Sequence, residues 1–134
     1  MGFLHRFLTG DVLAPAELAR AEAEGIVLHE RKLVATVWLD EFRAPGRRSD
    51  GRKLMSSGGV LVTRSWFVMW AMGERQLHLV RAQLPITGLE VSTDTKSVRF
   101  AFRAEQFHAD RSGSVNVRLR TPHATRIAEL ATAP

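Results

Sequence analysis

The feature that most constrains this chain is a succession of strand-forming runs between Ile26 and Arg120, rich in Val, Leu, Thr, Phe and Trp and broken by short polar turns. Several such runs at hairpin-length spacing read as an antiparallel β domain. Residues 26–42 make a run too long for one straight strand, so a bent strand that changes its buried face is expected. Gly59-Val-Leu-Val-Thr63 and Trp66-Phe-Val-Met-Trp-Ala71 flank Arg64-Ser65 as a tight hairpin. Residues 76–80 give a short fourth strand before Pro85. Residues 89–92 and 97–103 are joined by the turn-type tetrad Thr93-Asp-Thr-Lys96, and 114–120 is the seventh strand, after the turn Asp110-Arg-Ser-Gly113. Thr121-Pro122 has the form of a helix start, and Ala124, Ile127, Leu130 and Ala131 follow as one apolar stripe.

The segment before Ile26 differs. Phe3, Leu4, Phe7, Leu8 and Val12 recur at helical spacing, and Pro15–Glu24 reads as a short helix stopped by Gly25. Its Leu18 and Ala21 share one side, with Glu17, Arg20 and Glu24 assigned to the other. A docking segment over an open part of the core and an amphipathic membrane-surface anchor both fit. Acidic Glu17, Glu22 and Glu24 favour docking, because anionic lipid would repel them. The expected division is an N-terminal helical segment, 1–25, docked on one domain, 26–132.

At 134 residues the chain is long enough for one real core. It has no cysteine, which removes disulfides, thiolate metal sites and thiol nucleophiles together. No apolar run approaches the ~18 residues that would span a bilayer, and the start, Met1-Gly-Phe-Leu-His-Arg-Phe-Leu, lacks the pattern of a secretory signal. A cytoplasmic protein, free or peripheral to the membrane, is expected. Of its 19 basic residues only Lys32, Lys53 and Lys96 are lysine. That bias looks like GC-rich bacterial coding and weakens any step from arginine content to nucleic-acid binding.

The charge is unevenly placed. Residues 43–53 carry Arg43, Arg47, Arg48, Arg52 and Lys53 against Asp50 alone, and so hold most of the formal net charge of +5. This is the first candidate anion-binding set, with a solvated hairpin tip at Pro45-Gly46 and Asp50-Gly51 as the plain alternative. A second basic face follows from alternation: Val98, Phe100 and Phe102 point inward with Val115, Val117 and Leu119, leaving Arg99, Arg103, Arg118 and Arg120 outside. If the tetrad sets the register, Glu90 lies opposite Arg99 and an ion pair forms without any ligand. The third feature is apolar surplus. Trp66, Val68 and Trp70 occupy one face of a strand whose other face is also hydrophobic, so the N-terminal segment, a second subunit or a partner must cover one of them.

Seven strands in hairpin order followed by one helix resemble the pleckstrin-homology-like superfold. Gly59-Val-Leu-Val-Thr63-Arg64-Ser65-Trp66-Phe67-Val68 and Gln83-Leu84-Pro85-Ile86 are similar to segments of bacterial pleckstrin-homology and GRAM domains. The resemblance covers about residues 26–132. It implies a mainly β split barrel, two near-orthogonal antiparallel sheets of seven strands capped by a C-terminal helix. It also implies that basic residues between the first two strands, here Arg43, Arg52 and Lys53, could grip phosphates. Leu54 stands where that pattern has a further basic residue.

Catalytic signals are sparse. His29, His78, His108 and His123 are scattered, and His108-Ala-Asp110 offers two ligands in one loop without a third at metal-site spacing. No nucleophile elbow, Walker loop or dinucleotide fingerprint occurs. The sequence therefore predicts a non-enzymatic binding module, a protein-interaction or scaffold domain with neither metal nor cofactor. Its expected partner is an unidentified protein or a second copy, with an anionic membrane or another polyanion at residues 43–53 as the alternative. A nucleic acid is not the expected partner.

Overall fold

The computed structural model describes residues 13–134. The helical spacing of Phe3 to Val12 lies outside the described residues. Helix α1 (Pro15–Glu24) precedes strands β1 (Ile26–Ala44), β2 (Arg47–Ser49), β3 (Arg52–Thr63), β4 (Trp66–Ala71), β5 (Glu74–Val80), β6 (Glu90–Thr93) and β7 (Ser97–Arg103). A one-turn helix α2 (Ala104–Phe107), strand β8 (Ser112–Arg120) and helix α3 (Ala124–Thr132) complete the chain. Every strand pairing is antiparallel, in the order β5-β4-β3-β1-β8-β7-β6, with the three-residue β2 added to the end of β1. The result is a curled half-barrel with a C-terminal helix. The two sheets expected from the sequence are the arms of one hydrogen-bonded sheet, joined through β1, which pairs with β3 on one side and β8 on the other.

Strand β1 can serve both arms because it changes parity. Its core-facing residues run Leu28, then Leu33, Ala35, Val37 and Leu39, then Phe42. Each break in the alternation falls at a register shift, between Glu30 and Leu33 and between Asp40 and Arg43, with Lys32 and Glu41 at positive φ. These are β-bulges, and they bend the strand as its length requires.

The core lies inside the curl. Val60, Val62, Phe67, Met69, Leu77 and Leu79 of one arm meet Val98, Phe100, Phe102, Val115, Val117 and Leu119 of the other, and α3 closes the open end with Ala124, Ile127, Leu130 and Ala131. The helix begins later than Thr121-Pro122 predicts. Thr121 is tied to the sheet instead: its amide donates to the Lys96 carbonyl at 2.8 Å, and its hydroxyl donates to Glu30 at 3.2 Å and accepts the His123 amide at 3.0 Å. The first bond of α3 is from Ile127 N to His123 O.

Helix α1 covers the second apolar face of β3 and β4. Ala21 packs with Leu61, Val68 and Trp70 in a small core of their own. The division of α1 into sides is corrected here, since Glu17 and Glu24, assigned to the side opposite Ala21, form one stripe with it and all three face the sheet. Glu17 pairs with Arg75, and the Glu24 carboxylate accepts the Thr63 hydroxyl and the Ser65 amide, each at 2.7 Å. Those two bonds hold the Glu24 carboxyl below the usual carboxylate range. Among the described residues, no helix is long and apolar enough to cross a membrane.

Candidate functional site

Inward Ala35, Val37 and Leu39 leave Val34, Thr36 and Trp38 on the outer face of the sheet, and register extends that face sideways. One row across the strands reads Lys53, Trp38, Asn116, Ala101 and Glu90. The next reads Met55, Thr36, Arg118, Arg99 and Ser92, and the third Ser57, Val34, Arg120 and Ser97. Three cations converge on the half-buried Trp38 ring: Arg99 lies 5.2 Å from its centroid, Arg118 5.4 Å and Lys53 5.7 Å. Lys53 belongs to the first predicted basic set and the two arginines to the second. Folding brings them together.

None of these three has a carboxylate within salt-bridge distance among the described residues, and neither has Arg120. Other arginines are paired: Arg47 and Arg111 with Glu74, Arg75 with Glu17, Arg103 with Glu105, Arg126 with Glu129. The expected Glu90–Arg99 pair does not form. Asp94 accepts the Lys96 amide at 3.0 Å and the Ser97 hydroxyl at 2.7 Å, which moves the turn one residue along and closes it at Thr93 opposite Val98. Glu90 then stands opposite Ala101, and Ser92 opposite Arg99. Arg99 faces Arg118 on its other side.

Beside the ring lies a groove of about 310 Å³, lined by Val34, Thr36, Met55, Asp94, Lys96, Ser97, Arg118 and Arg120. Its apolar wall is open to solvent, with Met55 69% and Val34 49% exposed. Its one carboxylate, Asp94, is held below the usual range by the Ser97 hydroxyl, the Lys96 amide and the nearby Arg118, so it is charged at neutral pH.

The remaining predicted residues go elsewhere. The basic segment 43–53 is largely a hairpin, with Arg43 opposite Arg48 and Ala44 opposite Arg47. Arg47 is engaged with Glu74 at 2.9 Å and lies 5.6 Å from the Phe42 centroid. Arg43, Arg48 and Arg103 border a different concavity that also contains Glu41 and Asp50, and Arg103 pairs with Glu105 at 3.0 Å. Arg52 is opposite Leu39 and Lys53 opposite Trp38, so the two point to opposite faces. Val68 and Trp70 are buried under α1, which leaves Trp66, 37% exposed and edge-on to His78, as the surface residue of those three.

Trp38 is the residue that sequence reasoning missed. Its one local signal is its outward parity between Val37 and Leu39. What gathers around it depends on pairing β1 with β8, which no local pattern encodes. No protein-family model, curated protein or solved structure matches this chain.

Proposed function

We propose that this chain is a non-enzymatic binding module on a pleckstrin-homology-like plan, and that it takes an anionic macromolecular partner on the outer face of β1, β8 and β7. The observation that carries this reading is the set of three cations around Trp38, none of them in a salt bridge among the described residues and with Asp94 near Arg118 as the one neighbouring carboxylate of the groove. Like charges on neighbouring strands oppose folding by roughly 0.2–1 kcal/mol a pair. The ring offsets this with about 0.5–1 kcal/mol for each exposed cation. An arrangement that holds cations against a ring and without an ion pair, while Arg47, Arg75, Arg103, Arg111 and Arg126 each have a carboxylate partner, is preorganised for an external anion.

The apolar strands give less support for a partner site, since α1 already covers Val68 and Trp70. A protein partner therefore fits best if its surface is acidic. The test is binding of the full chain to immobilised inorganic polyphosphate and to polyglutamate at low and raised salt. Salt-sensitive retention, lost in an Arg99→Ser/Arg118→Ser variant, is expected. Absence of retention on either polymer at low salt overturns the reading.

A further inference from the structure

We infer that the anionic partner is single-stranded nucleic acid, laid across the outer face with its phosphates on Lys53, Arg99, Arg118 and Arg120, three of which the Trp38 ring holds in place, and its bases against the exposed Val34 and Met55. The inference rests on the anion-binding reading above and names the ligand class of that same face. Its basis is the way charge and apolar surface alternate. Lys53 and Trp38 share one row, Met55, Arg118 and Arg99 the next, and Val34 and Arg120 the third. These rows span roughly 14 Å along the strands at about 3.4 Å per residue. A ligand that matches this face repeats an anion and a flat apolar group at short intervals, as a nucleotide chain does.

The competing polyanions match less of it. A duplex keeps its bases stacked inside and would leave Met55 and Val34 facing solvent. An extended peptide carries amides that a sheet edge satisfies and a sheet face does not. An anionic bilayer presents a flat surface of headgroups and does not fill the groove beside Arg118 and Arg120. For a base, the Asp94 carboxylate in the groove offers a hydrogen-bond acceptor to a base N–H, such as N3–H of thymine.

The experiment is fluorescence anisotropy of a labelled oligothymidylate with the full chain, compared with an abasic strand of equal phosphate number, inorganic polyphosphate, polyglutamate, and phosphatidylserine-containing vesicles. The oligothymidylate is expected to bind several-fold tighter than the abasic strand, through apolar contact of its bases with Met55 and Val34. Four phosphate contacts give a slope of log affinity against log salt near −2.8, and Arg99→Ser/Arg118→Ser reduces its magnitude by about 1.4. Met55→Ser, at an exposed position that cannot unfold the core, should weaken oligothymidylate binding several-fold without changing the slope. Equal binding of the abasic strand overturns the nucleic-acid inference and leaves the anion-binding reading standing, as does tighter binding of polyglutamate or vesicles. Failure of every polyanion, polyphosphate included, overturns both.

Discussion

Arg99 and Arg118 stand directly opposite one another on β7 and β8, and both place their guanidinium groups over the ring of Trp38. Mutual repulsion and attraction to the ring are of similar size, so the pair is close to neutral for folding. Arg118→Gln should accordingly change stability by less than about 1 kcal/mol, because it removes a repulsion together with a ring contact. Added salt should stabilise the wild type by screening the clustered cations, and stabilise the variant less. Urea unfolding at two ionic strengths measures both quantities. A loss of several kcal/mol in Arg118→Gln would make the pair structural rather than a surface held ready for a ligand.

Helix α1 is attached by polar contacts at two points with only Ala21 buried between them, so its docking should depend on the charge of Glu24. The folded-state pKa of Glu24 is depressed. Its stabilisation is therefore fully present above the unfolded glutamate value of about 4.3 and lost as pH falls through the lower folded value. Acidification should loosen α1 and uncover Leu61, Val68 and Trp70, giving dye binding and a shift in tryptophan emission. Glu24→Gln should show the same change at neutral pH. A Glu24→Gln protein with unaltered emission and no dye binding would show that Ala21 and Leu13 hold the helix without the carboxylate.

Gly59 makes the close packing behind that helix possible. It is opposite Trp70 in the β3–β4 register, and a Cβ at this position would meet the indole at 2.4 Å and the Glu30 carbonyl at 2.5 Å. Neither neighbour can yield easily, since Trp70 is fully buried and the other contact is backbone. Gly59→Ala should destabilise the protein by about 1–3 kcal/mol through overpacking, read as a lower urea midpoint. An unchanged midpoint would mean that the Trp70 pocket has room the structure does not display.

The succession of strands and the final helix were legible because their signals are local: alternation on β7 and β8, the Arg64-Ser65 hairpin and the apolar stripe of α3. The parts that were not legible depend on interactions across the chain. Glu90 missed Arg99 because the Asp94 side chain moved a turn by one residue, which slides the whole β6–β7 register. Glu17 and Glu24 were set apart from Ala21 because the partners of their carboxylates, Arg75, Thr63 and Ser65, lie some forty to sixty residues away. The same non-local pairing hid the site, since Trp38, Lys53, Arg99 and Arg118 belong to four different strands.

The two basic regions can be separated by mutation because the structure places Arg48 and Arg52 away from the face that carries Arg99 and Arg118. Arg48 and Arg52 are exposed and make no salt bridge among the described residues, so Arg48→Glu/Arg52→Glu should leave stability within about 0.5 kcal/mol of wild type. Arg47→Glu should cost more, up to about 1 kcal/mol after allowance for its exposure, because it replaces the Glu74 ion pair and the Phe42 contact with a like-charge repulsion. If the ligand sits around Trp38, the Arg48/Arg52 variant should retain anion binding, weakened only by the long-range change in charge and restored toward wild type as salt screens it. Arg99→Glu/Arg118→Glu carries the same change in net charge and should lose binding at every salt concentration. Polyphosphate titrations of the two variants at matched ionic strength decide between the surfaces. The reverse pattern, with loss in the hairpin variant and retention in the sheet variant, would place the anion site at residues 43–53 and leave the cations around Trp38 as solvated surface.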